Sequence, residues 1–124
     1  VDGDTIKLVN GDSVRFLSID SPESTGEYEN DPMPYGEEAS AFVKEHVPGG
    51  SLITIVFDGD KRDKYDRLLG YIELPDGRDL NKMLLEKGDA EIAYVYDDYE
   101  RLGAYREAEE QAKQQNKGIW KLNG

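Results

Sequence analysis

Four carboxylates, Asp2 and Asp4 in "DGDT" and Asp20 and Glu23 in "IDSPE", are the residues best placed by type and spacing to do chemistry. Asn10-Gly11 is a hairpin signal, because both residues tolerate positive φ. A two-residue turn there sets Asp4 roughly opposite Leu17 and brings Asp4 and Asp20 to one end of a sheet, with Asp2 and Glu23 beside them. Taken singly, each is a turn or strand-end acid. Together they cannot crowd unpaired, since like charges raise one another's pKa. A hard divalent cation resolves the conflict. Calcium, which takes about six to eight oxygens, suits a set without histidine or cysteine. Asp4 and Asp20 are expected as direct ligands and Ser21 through its carbonyl, with Asp2 and Glu23 acting through water.

Two arginines supply the other half. Arg15 stands inside an apolar strand, where a charge is costly unless it is paired or faces a cleft. Arg67 closes "DKYDR" just ahead of another strand. A guanidinium grips two phosphate oxygens at once, although ion pairs with some of the 27 acids are the plain alternative. Metal, two arginines and a spare carboxylate together describe phosphodiester hydrolysis. Cations surround the charge that builds on phosphorus, and Glu23 takes the proton of the attacking water. Lys64 and Tyr65 precede Arg67, and Tyr94 and Tyr96 alternate along the last strand, so these rings could stack nucleobases. Core packing is their alternative. Tyr35, Tyr71 and Tyr105 read as structural, and His46 as a solvated side chain.

The elements that position these residues follow from period and punctuation. "TIKLV" (Thr5 to Val9) alternates as a half-buried strand, and Ser13 to Ile19 returns as its partner. Residues 24–34, acidic and proline-marked, predict a mobile surface loop. Tyr35 to Val47 shifts to helical period, with Tyr35, Ala39, Phe42, Val43 and Val47 on one face. Leu52 to Phe57 and Leu68 to Leu74 read as strands. Asn81 reads as the N-cap of a short helix that Gly88 ends. Ala90 to Tyr96 is the last strand, and a helix from Arg101 to Asn116 turns Leu102, Tyr105, Ala108 and Ala112 inward. Five strands in short antiparallel connections with three helices predict an α+β chain, mainly β, as an OB-fold Greek-key barrel in one domain over residues 1–124.

Composition sets the bounds. The 124 residues allow one compact domain, and 37% hydrophobic with 34% charged residues excludes a disordered tail. No apolar run reaches the roughly 18 residues of a membrane span. The absence of cysteine excludes disulfides and thiolate chemistry. A net charge of -12 argues against a broad metal-free groove for nucleic acid, but not against a small site whose charge a bound cation inverts. Val1 is not a natural first residue, so a segment removed before it is expected.

"DGDT", "RFLSIDSPES", "YGEEASAF", "DKYDR", "AYVY" and "EEQAKQQNKGIW", in that order, resemble the staphylococcal nuclease family over nearly the whole chain. The resemblance implies the OB-fold barrel and a calcium-dependent endonuclease that cleaves DNA and RNA with little sequence preference, single strands favoured, leaving 3′-phosphates. It implies that Asp4, Asp20 and the Ser21 carbonyl hold calcium and that Asp2 belongs to the outer metal shell. Glu23 matches the general base, Arg15 and Arg67 the phosphate-binding arginines, and Lys64, Tyr65, Tyr94 and Tyr96 the residues around substrate. A monomeric, secreted or cell-surface bacterial enzyme is the expectation, since a site built on few carboxylates needs the calcium found outside cells. The loop 24–34 has no lysine, and its acids should weaken the hold on a polyanion. An inactive module of the same fold, binding nucleic acid or a basic protein partner, is the alternative. A calcium-binding structural domain would explain the acids but leave Arg15 and Arg67 without a role.

Overall fold

The first hairpin turns in three residues, not two. In the computed structural model, which describes residues 3–22 and 35–123, Leu8 N donates to Asp12 O at 2.8 Å and Gly11 N to Leu8 O at 3.0 Å. Gly11 takes φ 95°, the left-handed bulge position of a three-residue loop. Strand β1 (Thr5–Lys7) therefore pairs antiparallel with β2 (Ser13–Phe16) in the register Thr5↔Arg15. Asp4 consequently lies opposite Phe16, whose N–H donates to Asp4 O at 2.8 Å, and not opposite Leu17 as a two-residue turn would set it. Because side chains alternate with period 2, that one-residue difference decides which face Asp4 and Arg15 occupy.

The strand expected over Ser13 to Ile19 is broken at Ser18, which takes φ 68°. Beyond it, β3 (Ile19–Asp20) leaves the first sheet. Helix α1 (Gly36–His46) buries Gly36, Ala39 and Val43, and β4 (Thr54–Val56) pairs antiparallel with β5 (Leu68–Glu73). The pairing of β5 with β2 is parallel, with Arg15↔Leu69. The antiparallel reading is corrected here for a physical reason: α1 and β4 lie between the two strands in the chain, a crossover long enough to bring β5 back in the same direction.

Helix α2 (Leu80–Lys87) follows, then β6 (Glu91–Ile92), which pairs with β3, and α3 (Leu102–Gln114). A short 3-10 helix, Gly118–Asn123, ends the described chain. The architecture is α+β, with three helices and mixed sheets ordered β1-β2-β5-β4 and β3-β6. Among the described residues β1 and β4 remain edges and do not pair with each other, so the sheet is not closed as a barrel. No helix among them is long and apolar enough to cross a membrane.

Helix α3 buries Leu102, Tyr105, Ala108 and Ala112, the face that its spacing predicts. The cap of α2 differs from the expectation. Asp79 is the N-cap, its carboxylate accepting from Lys82 N at 3.0 Å. Asn81 is instead fully buried. Its Oδ1 accepts from Ile72 N at 3.2 Å and its Nδ2 donates to Leu17 O at 3.0 Å. One amide thus pins β5 to Leu17, the residue just after β2. Gly88 closes α2 at φ 80°, and a Cβ there would run into the Lys117 carbonyl oxygen, so backbone packs on backbone.

Replacing Asn81 by alanine strands a buried N–H and a buried carbonyl at once. The expected loss is roughly 2–4 kcal/mol, read as a lower urea midpoint with an unchanged m-value.

Candidate functional site

The parallel register places the two arginines. Arg15 is the partner of Leu69, and Arg67 stands two residues before Leu69, so period 2 puts both guanidinium-bearing positions on one face. Thr5, across β1 from Arg15, shares it. This face floors a cleft of about 860 Å³ lined also by Asp4, Asp20, Lys64, Tyr65, Tyr94 and Tyr96. Eight of the expected site residues therefore meet in one cleft. Ser21 is buried and outside its lining, and Asp2, Glu23 and the loop 24–34 lie outside the described residues.

Arg15 is 8% exposed. Its Nη1 donates to Phe16 O at 3.0 Å, and its Nη2 lies 3.5 Å from Asp4 Oδ2 and 3.6 Å from Asp20 Oδ1. The Tyr94 ring covers it, with Cζ 5.4 Å from the centroid. Asp4 is held in turn, Oδ2 accepting from Ser21 N at 3.0 Å and Oδ1 from Thr5 Oγ1 at 3.1 Å. The glycine of "DGDT" also has its reason. A Cβ on Gly3 would sit 2.5 Å from Ala39 Cβ, so only glycine lets this segment pack on α1.

One arginine does not balance the pair. The Asp20 carboxyl is pushed up to about 6 from 3.8, first by burial and then by the charge of Asp4. Arg15 offsets part of this, while a hydrogen bond with Asp4 and the charge of Glu91 add to it. Excess negative charge on oxygen donors is what a hard divalent cation neutralises. No group of three acids among the described residues is close enough to hold a metal by itself. Asp4 and Asp20 are the described residues that could hold such an ion, and their oxygen-only chemistry fits calcium.

Asp63 is the residue that the sequence reading passed over. Its Oδ2 takes Arg67 Nε at 2.7 Å, while its Oδ1 accepts from both Tyr65 N and Arg67 N at 2.9 Å. Burial opposes ionisation there, but the hydrogen bonds from Arg67 and Tyr65 outweigh it and hold the carboxyl below its usual range. The signal was present: an aspartate whose side chain bonds the backbone two residues on is a turn former. Asp63 leaves the terminal nitrogens of Arg67 for another acceptor. Lys64 Nζ and Arg67 Cζ lie 5.2 and 5.3 Å from the centroid of the exposed Tyr65 ring.

Tyr94 and Tyr96 reach the cleft by a different route from the one expected. Strand β6 stops at Ile92, and Tyr94 takes φ 56°, so no strand alternation sets the two rings side by side. Ala93 N still donates to Ser18 O at 3.0 Å, and beyond it the chain turns both rings outward, 55% and 76% exposed.

A family model described as "Staphylococcal nuclease homologue" matches residues 13–122. The chain is 43% identical over 128 residues to "SPbeta prophage-derived endonuclease YokF" of Bacillus subtilis (strain 168), covering all of this chain and 43% of that protein. It is 42% identical to "Endonuclease YncB" of the same organism, covering 60% of it. At 32% identity, 99% of this chain matches 11% of "Endonuclease YhcR", also from that organism. The chain thus spans less than two thirds of the length of these relatives.

Asp20 carries a pH dependence whose sign follows from its raised pKa. The stability it contributes is fully present below about pH 4 and lost as pH rises towards about 6. In metal-free buffer, Asp20→Asn should therefore melt higher than the parent at pH 7 and close to it at pH 4. Thermal melts at the two pH values check this.

Proposed function

The chain belongs to the staphylococcal nuclease homologue family, and from that premise we propose that its cleft hydrolyses phosphodiester bonds in DNA and RNA, calcium-dependent and with single strands favoured. The observation that carries the reading is the placement of Arg15 and Arg67 on one face beside Asp4 and Asp20. An acidic pair alone would suit a structural cation site, but two guanidinium groups beside it suit a phosphate. The finer fold reading is the family's OB barrel, with the sheets β1-β2-β5-β4 and β3-β6 as parts of its wall.

Asp4 and Asp20 would hold calcium, with the Ser21 carbonyl and, through water, Asp2. When bound, the ion supplies positive charge to a phosphoryl oxygen and a template for water. The residues of the chain do the rest. Arg67, oriented through Nε by Asp63, directs its remaining N–H groups at phosphate oxygens. Arg15 adds positive charge from the cleft floor, where burial strengthens its field. Glu23 takes the proton of the attacking water. As the new P–O bond forms, the bond to O5′ breaks, its electron pair leaves with that oxygen, O5′ takes a proton from solvent water, and the products are a 3′-phosphate and a 5′-hydroxyl. Tyr65, Tyr94 and Tyr96 stack bases without reading them, and Lys64 meets a terminal phosphate. A monomer acting outside the cell completes the proposal, since so few carboxylates suit millimolar calcium.

Denatured DNA should be cut with calcium and left intact with chelator. Arg15→Ala and Arg67→Ala should each lose about a hundredfold or more in kcat/KM. A loss below tenfold for Arg67→Ala would sink the mechanism. Calcium binding with no cleavage at all would favour a binding module, for which the net charge of -12 suggests a basic partner.

A further inference from the structure

Strand β3 is two residues long, and its pairing with β6 sets Asp20 directly opposite Glu91. Residues facing each other across an antiparallel pair project to the same side, with Cβ atoms about 4.5–5.5 Å apart. A carboxylate absent from the sequence-level site is therefore held alongside it by backbone hydrogen bonds. Glu91 is exposed, and no basic side chain pairs with it among the described residues. Lys113, on the helix packed against β6, is engaged by Glu109 at 3.4 Å. Glu109 is itself tied down, accepting from Ile92 N at 2.6 Å.

Like charges facing each other across strands are destabilising, so β3–β6 is a poor pair by its own chemistry. Arg15 serves Asp4 and Asp20 and makes no ion pair with Glu91. Two hydroxyls also flank β3. Ser18 Oγ and Ser21 Oγ are buried and have no hydrogen-bond partner among the described residues. Of the two, Ser18 lines the cleft together with Asp20.

We propose that Glu91 is a cation-affinity residue of this site, an outer carboxylate across from Asp20 that tightens divalent-cation binding by its charge without being a direct ligand. The inference rests on the reading of Asp4 and Asp20 as cation ligands. A bound divalent ion turns the Asp20–Glu91 repulsion into a shared attraction, so Glu91 opposes folding of the metal-free chain and favours the loaded one. Its lever is electrostatic and sits at the surface. At about one strand-pair spacing from Asp20, through solvent-like dielectric, it is expected to be worth about three- to tenfold in affinity and to shrink with salt.

The test is calorimetric titration of the intact chain with calcium chloride, at low and at high ionic strength. The parent is compared with Glu91→Gln, Asp20→Asn and Glu86→Gln, an exposed acid on α2 that removes the same net charge elsewhere. Asp20→Asn should abolish binding in the measurable range. Glu91→Gln should weaken it about three- to tenfold at low salt and less at high salt, and Glu86→Gln by less than about twofold. Melting in metal-free buffer at pH 7 should rise for Glu91→Gln and stay put for Glu86→Gln. If Glu91→Gln matches Glu86→Gln in both measurements while Asp20→Asn loses binding, the inference is overturned and the cation site stands. If Asp20→Asn binds calcium like the parent, the cation-site reading itself falls, and the inference with it.

Discussion

A guanidinium 8% exposed must be paired wherever it sits, and the pairing of Arg15 organises the working end of this molecule. One nitrogen takes the Phe16 carbonyl, another lies between Asp4 and Asp20, and the Tyr94 ring closes over the plane. Apart from Phe16, those partners come from the segment before β1, from β3 and from the chain leaving β6. No local stretch could supply them. The cleft exists because separate chain ends converge on one buried charge.

The same economy governs the second arginine. Arg67 is spread over less protein, with a single aspartate holding its Nε while also closing the turn that carries it. Arg15 is fixed by tertiary contacts and Arg67 by its own loop. This division suits their exposures: Arg15 belongs to the cleft floor, and the Arg67 side chain keeps about a third of its surface open to solvent. With a net charge of -12, the protein cannot draw a polyanion by its overall field. In the proposed function, attraction would be local, from cations held at short range and from exposed rings.

Much of this was legible in residue order. Amphipathic spacing located α1 and α3, capping punctuation located α2, and the inward face of α3 follows residue by residue, because helical period is a local property of the chain. The identities of the cleft residues were also legible, since few side chains bind hard cations or phosphates. Bare punctuation misled at two points. Asn10-Gly11 announced a hairpin but not its length, and the glycine took the bulge position that adds one residue. Asn81 looked like a cap. The capping position fell two residues earlier, and the amide was spent inside the core where backbone groups of two strands needed it.

What the sequence by itself determined is the set of side chains in the cleft, carboxylates, two guanidinium groups and exposed tyrosines, and the helices that carry none of them. Register was decided only by the tertiary structure, through the bulge at Gly11, the break at Ser18 and the parallel return of β5. Each is a choice between backbone arrangements of similar local energy, settled by which one pairs the buried polar groups and fills the core. Asp63 and Glu91 show the consequence. Both are ordinary acids in an acidic chain, and only the folded backbone makes one the keeper of Arg67 and sets the other across from Asp20.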